Sequence, residues 1–168
     1  MGKVVGVRQL LKKRAFLRRG GKRLVFTNGT FDILHRGHIE YLTASRKLGD
    51  ALVVGLNTDV SIRRIKGPRR PINNESDRSV VLAALGCVDF VCFFSEDTPM
   101  NLIRAVQPDV LVKGADWKVH DIVGADFVRK RGGKVRTIRL TRGRSTSNTI
   151  DRILKVYCRT LKSARRSR

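Results

Sequence analysis

Hydrophobic and polar positions in this 168-residue chain alternate between two patterns. Short, nearly unbroken apolar runs lie at residues 23–27 (RLVFT), 51–56 (ALVVGL), 90–94 (FVCFF), 109–113 (DVLVK) and 135–138 (VRTI). Between them lie segments with helical spacing at 7–19, 37–48, 75–85, from Thr98-Pro99 to Val106, 122–131, and from Ser147 to about Leu161. Gly20-Gly21, Gly49 and Gly132-Gly133 stop three of these helices, as C-terminal glycines do. A strand buried on one face alternates apolar and polar residues; a strand buried on both does not. Strand–helix alternation with runs of the second kind predicts an α/β fold, a doubly wound parallel sheet of five strands. In such sheets ligands bind beyond the C-terminal strand ends, at the switch in strand order. Chemistry-bearing residues should therefore follow strands.

Charge changes the picture at the ends. Lys and Arg number 36 against 14 Asp and Glu, a net charge of +22. Residues 1–23 hold nine basic and no acidic residues, residues 152–168 seven and none, and residues 24–151 twenty and fourteen. The chain reads as one moderately basic domain over 1–154 including a basic N-terminal helix, with 155–168 as the end of the last helix and a basic tail. The balance excludes an acidic solvating protein and predicts non-specific contact of the basic ends with nucleic acid or anionic surfaces. Cys87, Cys92 and Cys158 are odd in number and lack ligand spacing, so neither a disulfide framework nor a zinc site is expected. The N-terminus lacks the apolar core of a signal peptide. The longest apolar stretch, 80–94, is interrupted by Gly86 and Asp89 and falls short of the roughly 18 residues of a membrane span. A cytoplasmic location is expected.

The loop after the first strand reads TNGTFDILHRGH, from Thr27 to His38. Gly29 permits close approach of a ligand to the backbone. His35 and His38 are three apart around Gly37, so at a helix start both imidazoles share one face, where free N–H groups also favour anions. The pair forms a candidate phosphate clamp; a buried, hydrogen-bonded core role is the bland alternative for each ring. After the second strand comes NTDVSIRRIKGPRRPINNESDR, a cation-rich, turn-rich loop suited to phosphates. Asp59 directly follows the strand. Arg78 lies in a helix first turn, with Asn74 or Ser76 as cap, where a cation opposes the dipole and so suggests a functional role. Lys66 and Arg78 are favoured there; Arg63, Arg64, Arg69 and Arg70 stay undecided. The fourth strand ends in VLVKGADWK, presenting Lys113, Gly114, Asp116 and Trp117, with Trp117 read equally as a sugar or base cover and as a shield for the sheet. Ser145, Thr146 and Ser147 precede the last helix, as N-cap or as phosphate donors.

The GTFDILHRGH segment resembles the cytidylyltransferase-like branch of the HxGH nucleotidyltransferase superfamily. IKGPRRPINNESDR and KGADWK are similar to the adenylyltransferase domain of ADP-heptose synthases, and the Ser/Thr-rich turn at 145–147 resembles the superfamily's second signature. The resemblance spans about residues 4–154. It implies a Rossmann-like fold and transfer of AMP from ATP to heptose 1-phosphate, giving ADP-heptose and pyrophosphate for lipopolysaccharide core synthesis. His35, His38 and Lys66 would be catalytic. Thr27, Asn28, Gly29, Thr30, Phe31, Arg78, Lys113, Gly114 and Ser145 to Ser147 would hold the nucleotide, and Asp32, Asp59, Asp116 and Trp117 the sugar phosphate. Mg²⁺ is expected on the phosphates, with no protein ligand named. A homodimer and a separate heptose kinase upstream are implied as well. Many superfamily members place an Arg where this chain has Ile150; Arg142 and Arg144 are the candidate substitutes. Two alternatives stay open: a cytidylyltransferase acting on glycerol 3-phosphate or a similar alcohol phosphate, and a nucleic-acid-binding protein on the same scaffold. The second lacks an RNP motif or a zinc finger.

Overall fold

In the computed structural model, which describes residues 1–139, 141 and 143–166 with side chains as far as Tyr157, six parallel strands form one sheet. They are β1 (Lys3–Val4), β2 (Leu24–Gly29), β3 (Ala51–Asn57), β4 (Phe90–Phe94), β5 (Val110–Gly114) and β6 (Lys134–Ile138), in the order β1-β4-β3-β2-β5-β6. Seven α-helices accompany them among the described residues, with one 3-10 turn at Val119–Asp121: α1 (Val7–Arg19), α2 (Arg36–Arg46), α3 (Asp59–Lys66), α4 (Glu75–Ala84), α5 (Met100–Val106), α6 (Ala125–Lys130) and α7 (Thr146–Arg166).

The unbroken apolar runs have the expected cause. In β2, Leu24 and Phe26 pack on one face with Leu10 of α1, Ile103 of α5 and Val128 of α6. Val25 packs on the other with Leu42 of α2 and Leu82 of α4. In β3, Val53 joins the first cluster while Leu52, Val54 and Leu56 join the second. Successive side chains alternate faces, and both faces meet helices.

Two elements differ from the sequence expectation. The sixth strand, β1, is an edge strand whose side chains are exposed. It is held by its backbone, with the Val5 N–H donating to Val91 O at 2.9 Å and the Lys3 N–H to Asp89 O at 3.0 Å. The cation-rich segment after β3 opens with α3 rather than a loop. The Thr58 side chain caps it, accepting from the Ser61 N–H at 3.3 Å. Ile62 is fully buried while Val60 and Ile65 are exposed, so no apolar stripe announced the helix.

From β2 the chain steps outward through β3 to β4, then returns to place β5 on the other side of β2. The switch in strand order therefore lies between β2 and β5, and their C-terminal ends, Gly29 and Gly114, border it. Among the described residues no helix is long and apolar enough to cross a membrane.

Candidate active site

A cleft of about 740 Å³ opens at that switch point. The first loop supplies its floor. Beyond β2, Phe31 takes the left-handed backbone conformation, φ +42, which non-glycine residues rarely adopt and which clusters at functional sites. Its ring turns back over Gly29, where a Cβ would lie 2.9 Å from Phe31 Cε2. Gly29 is thus required by the Phe31 ring beside it, in addition to any ligand.

Helix α2 starts at Arg36 with His35 as its N-cap residue. The His35 and His38 rings stack at 3.8 Å with 19° between planes, and Phe31 meets His38 edge-on at 5.3 Å. A Cβ on Gly37 would lie 3.2 Å from His35 Nδ1 and Cε1, so the glycine between the histidines lets the His35 ring lie close against the first turn. The His35 N–H donates to His38 Nδ1 at 3.4 Å. Burial, with His35 and Lys66 nearby, pushes His38 down to about 4. Burial and the charge of Arg144 lower His35 as well. His38 is therefore a neutral imidazole at pH 7, with Nδ1 accepting and the proton on Nε2.

Cations surround the pair. Lys66, at the end of α3, places Nζ 3.5 Å from Thr30 Oγ1, and burial together with Arg70 lowers its pKa. Lys113 ends β5 with Nζ 3.4 Å from Asn28 O and 5.6 Å from the centre of the half-exposed Trp117 ring. Burial pushes Lys113 down to about 8, with Asp116 opposing. Its folded-state pKa lies below its unfolded value, so the buried charge costs stability at pH 7, and that cost fades as pH rises from about 8 toward 10.5. Lys113→Met is expected to raise stability at pH 7 by on the order of 2 kcal/mol, with the gain shrinking above pH 8. Urea denaturation at pH 7 and pH 9.5 checks this; a destabilised variant would refute the reading.

The last helix closes the cleft. Ser145 Oγ accepts from the Asn148 N–H at 3.0 Å, so Ser145 is the N-cap of α7. Thr146 and Ser147, its first two helical residues, have N–H groups without an intrahelical partner position. Ser145, Thr146, Ser147 and Arg144 all line the cleft; Arg142 lies outside the described residues.

Most of the expected residues meet here: Asn28, Gly29, Thr30, Phe31, His35, His38, Lys66, Lys113, Gly114, Asp116, Trp117 and residues 145–147. Four do not, and each turns inward for a visible reason. Thr27 is fully buried with its hydroxyl 2.7 Å from the Tyr41 hydroxyl. Asp32 is 2% exposed, and its carboxylate accepts from Arg70 Nε at 2.8 Å and from the Ile72 and Asn73 N–H groups, fastening the GPRRP turn to the first loop. Arg78, expected on the nucleotide, has a fully buried side chain. Its guanidinium donates to Thr30 O at 2.7 Å, Asn57 O at 2.9 Å and Asn73 O at 3.0 Å, and to Asp59 Oδ1 at 2.7 Å. Asp59, expected on the sugar phosphate, is accordingly the counter-ion of Arg78. The cap of α4 is Asn74, whose Oδ1 accepts from the Asp77 N–H.

Sequence reasoning missed Tyr41, Asn57, Ile65, Asp97, Thr98, Pro99, Val123 and Thr141 as cleft residues, and left Arg70 undecided. Tyr41 had a signal, since it lies three residues beyond His38 on the same helix face. The rest come from other elements with no local mark.

The comparisons with known proteins agree with this geometry. Residues 26–152 match the cytidylyltransferase-like family. The chain belongs to that family. It is 56% identical over 140 residues to the bifunctional protein HldE of Syntrophotalea carbinolica, covering 83% of this chain and 29% of that protein. The HldE of Geobacter sulfurreducens is 53% identical over 137 residues, covering 82% and 28%. The chain thus spans less than a third of the length of these curated relatives. Among solved structures, the lipopolysaccharide core biosynthesis protein of Thermoplasma volcanium is 36% identical, with a TM-score of 0.59, covering 72% of this chain and 98% of that one.

Proposed function

We propose that the chain is a nucleotidyltransferase that moves AMP from ATP to heptose 1-phosphate, forming ADP-heptose and releasing pyrophosphate. One observation carries the reading: two stacked imidazoles, His38 held neutral, share one cleft with Lys66 and Lys113 at the switch point of a parallel sheet. The likeness to HldE and to a lipopolysaccharide core biosynthesis protein supports the choice of acceptor.

The chemistry needs no general base. The acceptor phosphate is already an anion; its oxygen attacks the α-phosphorus, the bond from that phosphorus to the bridging oxygen breaks, and pyrophosphate leaves with the electron pair. The protein's part is positioning and stabilisation of charge on the α-phosphate. His35 and His38 donate to phosphate oxygens. Lys66, Arg70 and Arg144 face the triphosphate, whose end rests on the start of α7. Lys113, Asp116 and Trp117 border the acceptor side. Among the described residues no group of three or more His, Cys, Asp or Glu could hold a metal. The carboxylates lining the cleft are Asp97, bonded to Arg64, and Asp116. This set fits Mg²⁺ held mainly by phosphate oxygens and water, with Asp116 as the protein oxygen nearest to free. Bound that way, the ion would neutralise phosphate charge. A sugar kinase must supply the acceptor phosphate.

The test is pyrophosphate release with Mg²⁺, crossing ATP and CTP with heptose 1-phosphate and glycerol 3-phosphate. Turnover confined to ATP with the heptose phosphate is expected. Turnover with CTP and glycerol 3-phosphate instead would replace the reading with the cytidylyltransferase one.

A further inference from the structure

The opposite end of the sheet carries a second cavity, of about 400 Å³, at the starts of β2, β5 and β6. The six residues of β2 separate it from the cleft by roughly 20 Å. Five cations line it: Arg14 and Arg18 of α1, Arg23 before β2, Arg131 after α6, and Lys134 at the start of β6. One carboxylate, Asp109, faces them, and it is fully engaged. Its Oδ1 accepts from Arg14 Nη2 at 2.8 Å and its Oδ2 from the Leu24 N–H at 2.7 Å. The other four cations form no ion pair among the described residues.

Two details say that the cluster is built rather than accidental. Arg14 is 5% exposed, yet its Nε and Nη1 are buried without a hydrogen-bond partner among the described residues. Native proteins rarely leave such groups bare, and a buried guanidinium answered at one nitrogen only, Nη2, is costly. Gln107 is the second. It sits at φ +49, a conformation side chains rarely adopt, at the C-terminus of α5. There its backbone carbonyl accepts from Arg14, and its side-chain Oε1 accepts from Arg131 Nη2 at 2.7 Å and Arg18 Nη2 at 3.3 Å. A neutral amide oxygen thus occupies the place between two guanidinium groups where an oxyanion would bind far more strongly.

We infer that this cavity is a second phosphate site, taking inorganic phosphate, pyrophosphate or the phosphate group of a small phosphoester. It binds its ligand at the end of the sheet remote from the proposed transfer chemistry and does not depend on that reading. Arg18, Arg131 and Lys134 would grip the oxyanion, with Gln107 yielding its place and Arg14 fixing the charge from beneath.

Amide NMR spectra of the full chain test this at constant ionic strength. Titration with inorganic phosphate and with pyrophosphate should shift the Gly132, Gly133 and Lys134 amides saturably. Arg18→Gln and Arg131→Gln, both at exposed positions, should each weaken that binding about tenfold or more while leaving the remaining spectrum intact. Lys66→Ala, which addresses the cleft, should leave it unchanged. Amides 132–134 that stay still, move linearly with concentration in the unaltered chain, or saturate with unchanged affinity in both arginine variants would overturn the inference. So would a short DNA duplex that shifts them where phosphate and pyrophosphate do not; that outcome would assign the patch to nucleic acid.

Discussion

His38→Ala is expected to lower kcat for pyrophosphate release by about a hundred- to a thousandfold, with a far smaller change in KM. Removing a preorganised donor aimed at developing phosphate charge has effects of that size. The split between the two constants follows from the state of the ring. A neutral imidazole adds little to the ground-state attraction for ATP, which the surrounding lysines and arginines supply. Its contribution grows as charge collects on the α-phosphate oxygens. His35→Ala should cost a similar amount, and the double variant much less than the product, because the rings stack at 3.8 Å and fix one another. Steady-state kinetics of the three variants decide it. A His38→Ala enzyme with wild-type kcat and a raised KM would mean that the ring only binds.

Arg78→Met should be the most damaging single change to stability, by about 3–5 kcal/mol. The methionine fills part of the volume but leaves three backbone carbonyls, those of Thr30, Asn57 and Asn73, without their donor, and Asp59 without its counter-ion. These carbonyls belong to the first loop, the end of β3 and the turn before α4. The variant should lose activity together with stability, because Thr30 and the Lys66 helix are both fastened through this one side chain. Chemical denaturation compared with Arg69→Met, an exposed arginine of the same segment, separates this from a general effect of charge. Equal, small losses in both variants would show that Arg78 is not the fastening.

That arginine also marks where the sequence stopped being legible. The strands of the buried sheet were readable because burial on both faces leaves a chemical trace, the unbroken apolar run, and β4 lies within the predicted bounds. The helix α1 was equally clear from its period and its two terminal glycines. Strand β1 left no trace because only its backbone takes part. Helix α3 left little, with Ile62 its one buried hydrophobic residue. The loops marked from the sequence do meet in the cleft, but their polar residues could not be sorted into those lining it and those facing each other. Arg78 and Thr30 are 48 positions apart, and Asp32 and Ile72 are 40 apart. Nothing local to any of them reveals the partner. A cation in the first turn of α4 opposes the helix dipole and so needs a reason. The reason is a set of inward carbonyls and one carboxylate.

The two histidines differ from the cations around them in how they would respond to ionic strength. His38 Nδ1 accepts the His35 N–H, and the His35 side chain in turn faces the His38 N–H in a reciprocal capping box, which calls for an acceptor at its buried Nδ1. Both neutral rings therefore carry their proton on Nε2, and on the proposed reading they meet the nucleotide as a pair of uncharged donors. Salt shortens the reach of Lys66, Arg70 and Arg144, since the screening length falls to about 3 Å at 1 M, but it leaves a direct donor–acceptor contact largely intact. Capture of the nucleotide and reaction of the captured nucleotide are thus separable by salt: the first fades as the medium becomes more conducting, and the second persists.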